Sequence, residues 1–327
     1  RLGPENLAHL TRNLAFLVLL LLAVSSFREE KQVRQAVGLF SWASLVPIAV
    51  GIRQALAGTG NRGLLPGELD RIYGTWHHPN PYSFYLLLVL ALSLSTLLDA
   101  RRWRERLLCA AWCALVLTCL FLTYTRIAWA GLAVLVLVIS VLRKNPWPLA
   151  ALALLAAIVL LGIPTARPRL AEVEAVRWQA PGFGGNSIEW RLAAWREAAA
   201  VAGAAPLLGQ GANATFEVLG FDAHNDYLGI LIESGATGLL AHLWLQIALV
   251  AGSLRAYRKL QQPLHRRLAL ALLAAQITFA VMSLTDNLVG YFQLYVYHWI
   301  LVGIVYALPA IERARLHEEL KALNATL

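Results

Sequence analysis

Two polar segments carry the residue types that could do chemistry in an otherwise apolar chain. Residues 71–83 read RIYGTWHHPNPYS, and residues 207–238 contain a His-Asn-Asp sequence that begins at His224. An imidazole can take a proton from an attacking hydroxyl near neutral pH, so His224 is a candidate general base. Asn225 or Asp226 could instead cap the helix that follows, and a polar residue at a helix start needs no further purpose. The residue types leave both interpretations open.

Three arginines are candidates for binding an anion. Arg126 stands between two apolar stretches with no acidic residue close in sequence, where a charge is costly and usually functional. It could also extend its guanidinium to the lipid headgroups. Arg191 and Arg196 recur with two tryptophans at amphipathic spacing on a predicted helix over about residues 188–203, which is typical of a segment in the headgroup layer.

The sequence gives little support for a metal or a nucleotide cofactor. No His or Cys pair has the spacing of a known ligand framework. Gly209 and Gly211 form a G-x-G sequence without the strand, loop and helix of a nucleotide fold, so a phosphate cradle there is weakly supported. We therefore expect no metal and no cofactor. The side chains from which a metal site could still be drawn are His77, His78, Asp222, His224 and Asp226.

The amino-acid composition indicates that most of the chain lies in lipid. Hydrophobic residues make up 58% of the 327 residues and charged residues only 14%, so lipid must be the main solvent. Nine apolar stretches are long enough to cross a bilayer. We therefore predict an all-α, polytopic membrane helix bundle with about nine transmembrane helices. The stretches are 11–27, 36–57, 81–98, 107–124, 127–142, 147–163, 236–254, 268–285 and 288–309.

The formal charge of +9 indicates how the chain is oriented in the membrane and does not predict a nucleic-acid partner. If the spans alternate, one side holds about seventeen Lys and Arg residues, including every lysine, and the other holds about eleven arginines over far more residues, so the first side is cytoplasmic by the positive-inside rule. The opposite side then holds residues 58–80 and 164–235. We predict a single integral membrane domain over residues 1–327, in which residues 164–235 form a large periplasmic loop region with short helices over the bundle. The chain begins without Met, and we expect further helices to precede it.

Several short motifs, taken in order, resemble the O-antigen ligase and polymerase superfamily over roughly residues 60–290. The most specific is the last, a His-Asn-Asp followed by Glu233 and two glycines. The motifs are R-x-x-G followed by HPNP at 71–81, YTR at 124–126, R-x-x-x-W at 191–195, LLGQG at 207–211 and HNDYL-x-x-x-x-E-x-G-x-x-G at 224–238.

The resemblance implies a bacterial inner-membrane protein of about a dozen helices, so that three would precede this chain. Its members use a glycan linked to undecaprenyl diphosphate as donor, with no nucleotide sugar and no required metal. In the ligases, arginines that match Arg126 and Arg191 hold the donor diphosphate, and the histidine that matches His224 activates the acceptor. Further candidates in or beside the motifs are Arg71, His78, Asn80, Arg196, Asn225, Asp226 and Glu233.

The motifs do not decide which acceptor receives the glycan. An O-antigen ligase acting on lipid A-core is favoured, and a polymerase that extends the glycan or a protein O-oligosaccharyltransferase shares the same motifs. Fixed guanidinium groups suit a departing diphosphate, and direct attack by the acceptor hydroxyl would invert the anomeric centre. A transporter of polyprenyl-linked glycans would also need basic residues, but it would not need His224. Membrane lipids are the remaining expected partners.

Overall fold

The computed structural model describes residues 4–61, 70–162 and 187–326, and these residues are almost entirely helical. Extended pairing among them is limited to a single antiparallel bridge between Asn61 and Arg71. The helices are α1 (Pro4–Ser26), α2 (Glu30–Ala43), α3 (Leu45–Ala57), α4 (Pro79–Leu97), α5 (Trp103–Leu122), α6 (Arg126–Arg143), α7 (Trp147–Gly162), α8 (Ser187–Ala202), α9 (Ala214–Leu219), α10 (Asp226–Lys259), α11 (Pro263–Met282) and α12 (Phe292–Thr326).

The prediction of an all-α, multi-pass membrane protein is confirmed. Within the described ranges, seven helical segments are long and apolar enough to cross a bilayer, and α2 and α3 together form one of them. Two further predicted spans fall on α1 and α7, whose apolar parts in the described ranges are shorter, at Leu14–Ser26 and Trp147–Ala157. The break between α2 and α3 follows from Pro47, which has no N–H to donate to the carbonyl four residues earlier.

The described chain divides into two compact units. Of the described residues, unit A comprises 4–13, 136–162, 187–248 and 278–291, and unit B comprises 14–61, 70–135, 249–277 and 292–326.

Helix α4 lies at the centre of unit B. Its apolar window is 72% buried, against 22% for α5, and the rings of Tyr82, Phe84 and Tyr85 are almost completely covered. Tyr85 contacts Phe40 of α2 and Tyr297 of α12, with ring centroids 6.0 and 5.2 Å apart. Because apolar packing against lipid gains little, these close aromatic contacts specify how the helices associate.

Charged groups join several helix ends of unit B. Arg267 lies 3.7 Å from Asp99, and Arg315 lies 3.4 Å from Glu30. Glu312 accepts hydrogen bonds from the backbone amides of Gln261 and Gln262. Residues 28–35, 99–106, 255–267 and 310–327, which sequence alternation assigns to one side of the membrane, therefore meet at one end of unit B, which we call the arginine-rich end.

Unit A is built on small residues that allow close approach. Ala198 and Ala202 of α8 pack against Ala214, Ala223 and Ile232. The prediction of a helix over about residues 188–203 is confirmed by α8, and its alanine stripe faces protein. The predicted loop region 164–235 falls partly on residues 163–186, which lie outside the described residues.

Two glycines of unit A lie where the backbone of residues 207–211 passes close to the backbone of α10. Gly235 interrupts α10 with φ 62° and ψ −165°, and a Cβ atom there would collide with the backbone of Leu207. Gly209 has φ 71°, and its Cβ would collide with the backbone of Glu233. The amides of Gln210 and Gly211 donate to carbonyl oxygens of α10 at 2.8 and 3.0 Å. Close backbone contact thus accounts for Gly209 without a bound phosphate.

This crossing predicts a strong effect of adding one methyl group at Gly235. Gly235→Ala should lower the free energy of unfolding by about 3 kcal/mol, because it adds a steric collision to a left-handed backbone. Gly229→Ala is the matched control on the same helix, since the nearest atom to its Cβ would be 3.9 Å away. Thermal unfolding of the detergent-solubilised protein measures both variants. Equal stability of the two variants would contradict the account.

Candidate functional site

The turn before α10 presents His224 in an uncommon backbone conformation. His224 has φ 46°, in the left-handed region, and its side chain remains 32% exposed. The side-chain oxygen of Asn225 accepts the amide of Leu228 at 3.1 Å, which confirms the predicted helix cap. The imidazole of His224 lies beside Asp286 and Trp190. Non-glycine residues in this conformation are found where the surrounding structure holds them in place.

Asp286 is the acidic partner of His224. Its Oδ1 lies 3.5 Å from Nδ1 of His224, and the carboxylate is completely buried. The same oxygen accepts the hydroxyl of Tyr291 and the amide of Asn287, each at 2.9 Å. A carboxylate held at Nδ1 orients an imidazole and leaves Nε2 available for chemistry.

The surroundings of Asp286 keep its carboxyl ionised. Burial alone would raise the pKa of Asp286, but the hydrogen bond and charge of His224, the amide of Asn287 and the charge of Arg191 hold it below the usual value of 3.8. Arg191, His224 and Asp286 therefore belong to one electrostatic cluster within unit A.

Asp226 holds the segment that carries Asp286. Its buried carboxylate accepts the hydroxyl of Ser283 at 2.6 Å and the amides of Leu288 and Val289 at 3.0 and 3.2 Å. Its own amide donates to the carbonyl of Ser283 at 2.9 Å. Asp226 thus ties residues 283–289 to the start of α10, and its contacts are those of a positioning group.

Helix α8 closes one side of the His224 turn. Nε1 of Trp195 donates to the carbonyl of Ala223 at 3.0 Å, and the ring of Trp190 meets the imidazole of His224 edge-to-face at 5.2 Å. The tryptophans that the sequence assigned to the headgroup layer therefore contact the turn. Arg191 follows Trp190 directly and is partly buried, whereas Arg196 is exposed.

Arg71 organises the second group of candidates, which lies in unit B. Its guanidinium donates to the carbonyl of Thr123 at 2.8 Å, to the hydroxyl of Thr125 at 2.9 Å and to Oδ1 of Asn80 at 3.1 Å. These bonds fix the turn between α5 and α6 against the start of α4. Arg126, the first residue of α6, follows this turn directly and is partly exposed.

His78 and Asn80 also have local structural contacts. Nδ1 of His78 accepts the amide of Asn80 at 3.1 Å and caps α4, whose first residue is Pro79. Glu233 of unit A contributes its backbone carbonyl to the glycine crossing. Within the described ranges, no three His, Cys, Asp or Glu side chains come together as a set of metal ligands.

The sequence did not identify Asp286 or Trp190 as members of the site. Asp286 lies 62 positions after His224, and nothing local in the sequence relates the two. The available signal was the position of Asp286 as an acidic residue in a short turn between apolar spans, where a charge requires a partner. For Trp190, amphipathic spacing is the local sequence signal.

The Asp286 contacts predict a pH-dependent stability. Asp286→Asn should lower the free energy of unfolding by about 2 kcal/mol at neutral pH, because it removes hydrogen bonds to a charged acceptor. Since the pKa of Asp286 is lowered on folding, this stabilisation is fully present above the unfolded pKa and is lost as the pH falls through the folded one. Melting temperatures across acidic and neutral pH should therefore converge in acid. Asp222→Asn, at an exposed position just before His224, should match the wild type throughout, and a gap for Asp286→Asn that widens in acid would contradict the assignment.

Comparison with known proteins agrees with the motif order. A search of curated proteins gave no significant match. Residues 109–243, which include Arg126, Arg191 and His224, match the family described as O-antigen ligase. This match implies an enzyme of the glycan ligase or polymerase type, and it confirms the resemblance of the chain to the O-antigen ligase and polymerase superfamily.

Proposed function

We propose that this protein transfers a glycan from undecaprenyl diphosphate to an acceptor hydroxyl at the periplasmic face of the bacterial inner membrane. The observation that carries the proposal is the cluster of His224, buried Asp286 and nearby Arg191, which falls mostly within the stretch that matches the O-antigen ligase family. A base beside a fixed cation is the arrangement that glycosyl transfer from a diphosphate requires.

His224 acts as the general base in this reaction. The acceptor oxygen attacks the anomeric carbon of the donor sugar while its proton moves to Nε2 of His224. The bond between the anomeric carbon and the diphosphate oxygen breaks, and its electron pair leaves with the polyprenyl diphosphate. Asp286 stabilises the imidazolium that forms, because its ionised carboxylate lies at Nδ1. Attack opposite the leaving group inverts the anomeric centre in one displacement.

Arginines stabilise the departing diphosphate without a metal. A guanidinium offers two parallel donors to a phosphate, so Arg191 can follow the growing negative charge during bond breaking. Arg126 is assigned to the same diphosphate by its place in the motif order. Arg71 supports Arg126 by fixing the preceding turn through Thr123 and Thr125.

The acceptor we propose first is lipid A-core, which would make the protein an O-antigen ligase. A polymerase or a protein O-oligosaccharyltransferase would use the same donor and base with another acceptor. We propose that residues 1–327 form a single integral membrane domain, in which residues 164–235 are the periplasmic loop region over the bundle. A glycan transporter is the candidate of another class, and it has no use for a base at His224.

We expect the loss of His224, the proposed base, to affect the rate of glycan transfer and not the binding of the donor. His224→Ala should lower the rate of glycan transfer by about 100- to 10,000-fold while donor binding is retained, because only proton removal is lost.

Arg191→Ala should weaken donor binding as well as the rate of transfer. Arg191→Lys should recover part of the binding, because the charge returns without the bidentate geometry of the guanidinium. Single-turnover transfer from a labelled lipid-linked glycan, with donor binding measured separately, distinguishes the two effects.

Two exposed residues of α12 provide matched controls. His317→Ala and Arg313→Ala remove the same side-chain types from surface positions and should leave transfer unchanged. A His224→Ala protein that transfers glycan at the wild-type rate would refute the assignment of the base and favour transport.

A further inference from the structure

Unit B contains an apolar groove near its arginine-rich end that the proposed transfer reaction does not use. The groove has a volume of about 330 Å³ and runs between α2, α4, α5 and α11. Its walls include Phe40, Leu92 and Trp112. A neighbouring groove of about 260 Å³ shares Val37, Phe40 and Leu92 and is lined almost entirely by apolar side chains. The two grooves therefore run beside each other along the same aromatic side chain.

Arg267 is the charged residue among those that line the larger groove. Its Nε is buried, and among the described residues this atom makes no hydrogen bond. The nearest carboxylate oxygen, on Asp99, is 3.7 Å away, which is too long for a hydrogen bond. A buried guanidinium N–H favours an additional acceptor, and Arg267 keeps about a quarter of its side chain exposed to meet one.

The groove opens where lipid headgroups are expected. The connection between α4 and α5 reads DARRWRER, in which the Arg104 guanidinium lies 5.5 Å from the exposed ring of Trp103. Tryptophan and arginine are typical of the boundary between hydrocarbon and headgroups. The apolar windows of Glu30–Ala57 and Trp103–Leu122 are each only 22% buried, so both walls face the bilayer.

We propose that this groove is a binding site for one anionic phospholipid of the leaflet at the arginine-rich end. An acyl chain occupies the apolar groove, and the phosphate accepts a hydrogen bond from Arg267. Charge complementarity favours this occupant, since the groove combines apolar walls with a buried cationic donor and a basic rim. This site is independent of glycan transfer.

Native mass spectrometry of the purified full chain tests the site with added dipalmitoyl phosphatidylglycerol or dipalmitoyl phosphatidylcholine. The wild type should retain one phosphatidylglycerol in preference to phosphatidylcholine. Arg267→Gln should reduce that preference about fivefold, the effect of one basic residue on an anionic lipid, and Arg267→Lys should keep most of it. Ser41→Phe should reduce retention of both lipids, because the exposed Ser41 lines the groove and a ring there would fill it.

Two variants outside the groove provide controls. Arg53→Gln removes an exposed arginine of α3, and Thr118→Phe adds a ring to an exposed position of α5, so both should retain lipid as the wild type does. Wild-type retention by both Arg267→Gln and Ser41→Phe would overturn the proposal. Displacement of phosphatidylglycerol by added undecaprenyl phosphate would also overturn it, since the groove would then hold the polyprenyl chain. If Arg267→Gln does not fold, Ser41→Phe and Thr118→Phe decide the question.

Discussion

The candidate site depends on the hydrogen bonds that the buried carboxylate of Asp226 accepts. This carboxylate accepts hydrogen bonds from Ser283, Leu288 and Val289, and so fixes a short turn that is distant in sequence to the first residue of α10. That turn places Asp286 beside His224. Together with the amide of Asn225, which donates to Oδ1 of Asn287 at 3.1 Å, these contacts fix residues 283–289 relative to the imidazole. A buried carboxylate that is satisfied by several donors is costly to disturb, which makes it a suitable anchor for a turn.

The candidate site combines His224, whose charge would change during proton transfer, with Asp286 and Arg191, whose charges would not. Asp286 is ionised and buried, and Arg191 lies close enough to lower its pKa. A positive charge that forms on His224 during proton transfer would be stabilised by Asp286, and Arg191 is the cation that we propose for the anionic group. Arg71 serves a different purpose, because its guanidinium is used to hold the turn before Arg126. Our proposal thus divides the arginines in the motifs between structural and chemical roles.

The sequence predicted those features that depend on local patterns. Hydropathy identified the seven candidate membrane spans of the described ranges, and the turn-rich sequence at 181–187 placed α8 within about a residue of its observed ends. A cap by Asn225 or Asp226 followed from residue type, and the structure assigns it to Asn225. The partner of His224 could not be predicted, because its approach depends on contacts between α10 and the turn after α11. The role of Gly209 was also hidden, since a close crossing with α10 leaves no trace in the local sequence.

The most direct test of the central claim is an assay of the purified full-length protein with a glycan linked to undecaprenyl diphosphate. Lipid A-core, a second donor molecule and a peptide are offered separately as acceptors. Our account predicts a covalent product with one of them, most rapidly with lipid A-core, and an inverted configuration at the new linkage. Bound donor with no product on any acceptor would contradict the assignment of a glycosyltransferase.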